Sequence, residues 1–298
     1  MDISSEYIAL FTDIAKKIDF PNVEGIYLPH LADKNTESND KQKKDEFGVV
    51  ILEDGSSGAF YVSLDDTLKQ LEAYLESNYS NSSGNREKPD TLSLIKNFKS
   101  TTLHERAVAL GAINAVSQFI MNQAGFTAPG KDKNKTSSIG IDQAKKGERI
   151  GMIGFFSPLI ERLLEKGIEI LVLEKNPARV ELQTGVTLTE NVADLSNCDH
   201  ILCTASTLIN NTLDVVLSHS KQAKSFSLIG PSGSSLPDIL FKHGVDAVGG
   251  YHFTDIPALK QALDNQESWG HSGYKYQLTR EDYPGIETLL ERIKNKDN

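Results

Sequence analysis

The sequence predicts an α/β protein made of two units, a small α+β unit followed by a larger one built on a parallel sheet. Three observations carry this expectation. At 298 residues the chain exceeds the usual single-domain size. Its first part reads as short strands followed by helices. Its second half alternates near-continuous apolar strands with helical patterns, which implies a parallel sheet covered on both faces.

The N-terminal twenty residues, MDISSEYIALFTDIAKKIDF, carry Tyr7, Ile8, Phe11, Ile14, Ala15 and Ile18 at helical spacing. Glu6 and Asp13 interrupt the apolar run, so an amphipathic helix is expected rather than a signal peptide. VEGIYL (23–28), FGVVILE (47–53) and GAFYVSL (58–64) read as strands, the last two joined into a hairpin at Asp54-Gly55. Polar stretches at 33–46 and 77–90 read as exposed connections. A long helix is expected over 102–123, with Thr102 and Glu105 as a capping pair and Gly125 as its stop. Its small residues Ala109, Gly111, Ala112 and Ala115 suit close packing against another element.

Composition changes abruptly at 127–148, which sets the boundary between about 125 and 150: residues 1–130 form the first domain and 145–298 the second, ending in a helical tail. Strands are expected at 149–155, 169–174, 200–206, 225–230 and 246–253. Helices separate them at 158–166, 212–220, 237–243 and 256–263.

A formal charge of −10 disfavours nucleic-acid and anionic-membrane surfaces, which need clustered Lys and Arg. No apolar run approaches the roughly 18 residues of a membrane span. The two cysteines, Cys198 and Cys203, fit neither a redox pair nor a zinc knuckle, so a reducing, cytoplasmic setting is expected. None of the seven histidines forms a zinc-binding repeat; His252 and Asp255 come nearest to a ligand cluster.

Parallel sheets bind ligands outside the carboxyl ends of their strands, and that rule gathers a candidate pocket from scattered residues. Gly154, Phe156 and Pro158 follow the first strand and Glu174 the second. Thr204, Ser206, Thr207 and Asn210 follow the third, Gly230, Pro231 and Ser232 the fourth, and Asp255 the fifth. Gly151-x-x-Gly154 partly meets a dinucleotide fingerprint, with Glu174 twenty residues on where an acid meets a ribose hydroxyl. The full G-x-G-x-x-G, a P-loop and a G-x-S-x-G elbow are all missing from the sequence. The bland alternative is that the glycines serve packing and the hydroxyls cap helices.

Six segments in order resemble the Putative heavy-metal chelation family: ERAVALGAINAVSQ (105–118), GMIGFFSPLIERL (151–163), LVLEKNP (171–177), LCTASTLINNTLDVVL (202–217), LIGPSGSSLPDILFKHGVD (228–246) and GGYHFTD (249–255). The resemblance implies an enolase N-terminal-like domain docked on a Rossmann-like domain, with a site in the cleft between them. It adds Arg106 and Asn114, from the long helix, to the residues above. Ala205 stands where the family commonly has glycine.

Three functions follow, the last and least favoured a non-catalytic scaffold whose interdomain cleft is only an interface. The first is binding of a small ligand in that cleft, such as an anionic metal complex or chelate, with Arg106 donating charge-assisted hydrogen bonds. The second is an enzyme using an NAD- or S-adenosylmethionine-like cofactor there, with Glu174 on the ribose. No acid–base or nucleophilic constellation stands out, which favours the first. The expected partner is a small molecule or metal complex, and homo-oligomers are compatible with the sequence.

Overall fold

The computed structural model describes residues 2–29, 46–79, 89–130, 144–175, 180 and 183–296. The connections read at 33–46 and 77–90, the boundary segment 127–148 and Asn176-Pro177 fall wholly or largely outside them. Residues 77–79 instead close a helix.

The chain opens with α1 (Ile3–Ala15), capped by Asp2, whose carboxylate accepts the Ser5 N–H at 2.8 Å. A three-stranded antiparallel sheet follows: β1 (Val23–Tyr27), β2 (Phe47–Leu52) and β3 (Ser57–Tyr61). Next come α2 (Thr67–Tyr79), α3 (Thr91–Lys96) and the long α4 (Leu103–Gln123). The expected Thr102 cap does not form. Glu105 instead takes the hydroxyls of both Ser100 and Thr102, and the Thr102 side chain makes no cap bond to the backbone.

The second sheet has seven strands, in the order β10-β9-β8-β7-β4-β5-β6. β4 (Arg149–Ile153), β5 (Glu169–Leu173), β6 (Val186–Thr189), β7 (His200–Thr204), β8 (Ser225–Ile229) and β9 (Ala247–Phe253) run parallel. β10 (Gly273–Thr279) closes one edge antiparallel to β9 over seven residue pairs. Helices α5 (Ser157–Glu165), α6 (Leu213–Ser218), α7 (Asp238–Lys242) and α8 (Ile256–Asn265) lie between strands, and α9 (Ile286–Lys296) ends the described chain. The fold is α/β. β6 and β10 were not expected from the sequence.

Strand order reverses between β4 and β7: the chain leaves β4 toward β5 and β6, then crosses back to add β7, β8 and β9 on the other side. Among the described residues no helix is long and apolar enough to cross a membrane.

One hydrophobic cluster runs through both halves. It joins Tyr7 and Phe11 of α1, Phe60 of β3 and the length of α4 to Leu208, Leu228, Leu240 and Leu289. Each such side chain contributes about 1.5–3 kcal/mol on burial. α4 is buried from Arg106 to Met121, so it is a central element rather than a surface helix. Its small residues let β3 approach closely. A Cβ on Gly58 would overlap Gly111 O and Ala115 N and lie 2.7 Å from Asn114 Cβ, mostly against backbone that cannot yield. Gly58→Ala is expected to destabilise the fold by about 3 kcal/mol or more, measured by urea denaturation, because overpacking here forces two elements apart.

Candidate functional site

The carboxyl ends of β4, β5, β7, β8 and β9 share one sheet edge. Gly154 leaves β4 with φ +82°, and a Cβ there would sit 3.1 Å from Thr204 Cγ2, so glycine keeps the β4 and β7 ends in contact. Phe156 stands at the N-cap of α5 and, with Phe155, packs half-buried against the β4–β5 core. Pro158 lies in the first turn of that helix. Glu174 directly follows β5, half-buried, its N–H bonded to Thr189 O at 3.2 Å.

After β7 the hydroxyls turn inward. Thr204 Oγ1 accepts the Ser206 N–H at 3.3 Å and lies 3.1 Å from Ser206 Oγ. Thr207 Oγ1 donates to Thr204 O at 2.7 Å. Asn210 Oδ1 accepts from Thr212 N–H at 3.3 Å and from Thr212 Oγ1 at 2.6 Å. These are local caps. Thr204 and Asn210 stay half-exposed, whereas Ser206 and Thr207 are buried.

After β8, Gly230, Pro231 and Ser232 form a short 3₁₀ turn that docks on the first sheet. Ser232 Oγ accepts the Tyr61 N–H at 2.9 Å and Ser232 O accepts Asn114 Nδ2 at 3.1 Å. Ser234 Oγ accepts the Tyr251 N–H at 2.9 Å, and Ser235 Oγ lies 2.8 Å from Tyr7 Oη. Asp255 is exposed and caps α8 through the Ala258 N–H at 2.9 Å.

The polar residues of α4 meet successive strand ends. Arg106 is only 4 % exposed. Its Nε donates to Ile209 O at 2.7 Å, and one terminal nitrogen donates to Phe98 O. The other terminal nitrogen donates to Leu208 O at 2.8 Å, Ser4 Oγ at 3.0 Å and Asn211 Oδ1 at 3.1 Å. The guanidinium also lies 5.0 Å over the Phe98 ring. Burial lowers its pKa from the ordinary arginine value. Asn114 bridges Ala59 O at 2.8 Å and Ser232 O, while its Oδ1 has no hydrogen-bond partner among the described residues. Ser117 Oγ accepts the Leu236 N–H at 3.0 Å. Gln118 makes a two-way amide pair with Phe253, donating to its carbonyl at 2.8 Å and accepting its N–H at 3.1 Å.

The predicted residues therefore divide. Gly154, Phe156, Glu174 and Thr204 lie at the ends of β4, β5 and β7, whereas Asn210 sits between Ile209 and Asn211, which meet Arg106. Arg106, Asn114 and Ser232 form a seam joining α4 and β3 to the ends of β7 and β8. Sequence reasoning missed Ser117, Gln118, Ser234 and Tyr7; the available signal was Ser117 and Gln118 inside a helix too apolar to be solvated.

Residues 138–280 match the family model described as Putative heavy-metal chelation. The family resemblance read from the sequence is borne out over these residues, which hold the five segments from 151 to 255; the segment 105–118 lies outside the match. An uncharacterised protein of Methanocaldococcus jannaschii is 32 % identical over 154 residues, 51 % of this chain and 56 % of that protein, so the chain spans little more than half of this relative. A crystal structure of a protein of unknown function of this same family, from Pyrococcus horikoshii, superposes with a TM-score of 0.64 at 21 % identity. It covers 93 % of this chain and 99 % of that one. A second such structure, from Desulfitobacterium hafniense, gives 0.61 at 18 % identity with the same coverage. Both likenesses speak to the fold.

Against the family's description, the donor set is informative. Thiolates would be the natural heavy-metal ligands. Burial pushes the Cys198 thiol up to about 11 and the Cys203 thiol to about 12, which keeps both protonated. Among the described residues no three His, Cys, Asp or Glu side chains converge. Asp255, read with His252 as the nearest approach to a ligand pair, is committed to its cap.

The arginine's role is directly measurable. A ligand-facing arginine would lose affinity on substitution and leave the melting temperature unchanged. The carbonyls Arg106 serves predict for Arg106→Ala a stability loss of about 3 kcal/mol or more in urea denaturation, since each buried acceptor left without a donor costs about 1–3 kcal/mol.

Proposed function

We propose that this chain binds a small ligand in the crevice at the carboxyl ends of β4, β5 and β7, and that the ligand is an anionic metal complex or chelate. In this reading residues 1–130 are an enolase N-terminal-like domain and residues 145–298 a Rossmann-like domain, acting together in the cytoplasm.

The observation that carries it is the reversal of strand order between β4 and β7, the position where open α/β sheets form a ligand crevice. Gly154 brings the chain tightly from β4 into α5, whose N-terminal amides favour negative charge. Thr204, half-exposed and beside Gly154, adds a hydroxyl at the same end. The protonated thiols favour a complex that brings its own donors over a bare soft ion.

A second reading, an enzyme with a nucleotide-derived cofactor, draws on Glu174 at the end of β5, where an acid meets a ribose in dinucleotide folds. Titration of wild type and Glu174→Ala with NAD and S-adenosylmethionine separates the two: binding that the substitution weakens favours the cofactor.

Native mass spectrometry of the purified protein, paired with metal analysis, tests the main reading. We expect a metal-containing adduct on wild type that is lost from Gly154→Val, which obstructs the β4–α5 turn. An adduct retained by that variant, or none on wild type, overturns the proposal.

A further inference from the structure

A second concavity lies at the end of β9, apart from the β4–β7 crevice. Its volume is about 270 Å³, and it lies between the β2–β3 turn (Asp54, Ser56), the last turns of α4 (Asn122) and the segment His252–Ile256. His252 is 7 % exposed and stacks on Tyr274, with ring centroids 5.5 Å apart at 27°. Its ring nitrogens have no protein hydrogen-bond partner among the described residues, and neither is sealed from solvent. The group is therefore a donor and an acceptor held ready at the wall of a pocket.

The charge of the pocket selects the ligand. Among the described residues no Lys or Arg lines it. Asp54 supplies a carboxylate, held in its turn by the Ser56 N–H at 3.0 Å and the Ser56 hydroxyl at 2.7 Å. Asn122 adds an exposed amide, and Phe253 and Ile256 add apolar wall. Burial lowers the His252 pKa, so the imidazole stays neutral and can accept a hydrogen bond from a cation. The chain's net charge of −10 draws cations toward the surface. The volume far exceeds what a bare metal ion fills.

We propose that this pocket binds a small protonated amine, with Asp54 countering the ammonium and His252 hydrogen-bonding a polar group of the ligand. The site is independent of the proposed chelate crevice and stands or falls separately.

The test is titration with ethanolamine, acetate and zinc separately, followed through the His252 imidazole resonances by NMR. The proposal predicts that ethanolamine shifts those resonances and acetate does not. Measured by calorimetric titration, His252→Phe, which retains a ring to stack on Tyr274, and Asp54→Asn, which retains an oxygen for the Ser56 N–H, are each expected to weaken ethanolamine binding about tenfold or more, the equivalent of one hydrogen bond or ion pair. Melting temperatures close to wild type would separate this effect from misfolding. The Asn variant keeps an oxygen for the Ser56 N–H, and the Ser56 hydroxyl can turn to accept from the new amide, so it removes the charge with the turn in place if the Phe variant fails to fold. Acetate or zinc perturbing His252 more strongly than ethanolamine overturns the proposal, as does no response to ethanolamine or equal affinity in Asp54→Asn.

Discussion

The structure depends on one constraint: α4 is buried along nearly its whole length, so the polar groups it carries are held by partners inside the protein, Asn114 Oδ1 excepted. Arg106 is the extreme case. A guanidinium at this depth is tolerable only because carbonyls, an amide oxygen and a hydroxyl take its donors and Phe98 lies under its plane. Those partners come from α1, the end of α3 and the turn after β7, so the one side chain fixes three regions together. Asn114, Ser117 and Gln118 repeat the principle at the turn and loop after β8 and the end of β9.

The seam reorganises the sheet edge. In an open α/β sheet the carboxyl ends of all the strands are available to a ligand. Here the polar groups after β8 are spent on α4, β3 and α1, and the β9 backbone is paired by Gln118. The Ser-rich segment 230–236, which in sequence resembles a ligand-binding loop, is a joint. What stays half-exposed is the other end of the edge, where strand order reverses and where Gly154 allows the β4 and β7 ends to touch.

Much of this was legible in the sequence, and the misses have physical causes. The strands of the parallel core announce themselves because burial on both faces makes each a near-continuous apolar run. β6 reads VTLT and β10 reads GYKYQLT; both lie at sheet edges, where mixed polarity hides a strand. The strand-end candidates share one sheet edge because topology alone collects them there. Their roles were not legible, since whether Ser232 or Arg106 faces a ligand or a neighbouring helix depends on what docks against the edge. The polar residues in the apolar text of α4 were the one sequence clue to that docking. Arg106 and Asn114 were read as reaching toward a ligand, and the carbonyls that hold them belong to segments distant in sequence.

The central claim is that the two sheets form one cooperative unit through α4. Native-state amide hydrogen exchange tests it most directly, because the N–H groups of Tyr61, Leu236 and Phe253 are themselves the donors that cross the seam. The account predicts that these three amides exchange only through global unfolding, with the same protection as Leu202 in the middle of β7. Exchange of all three through a lower-energy opening, while Leu202 stays protected, would contradict it.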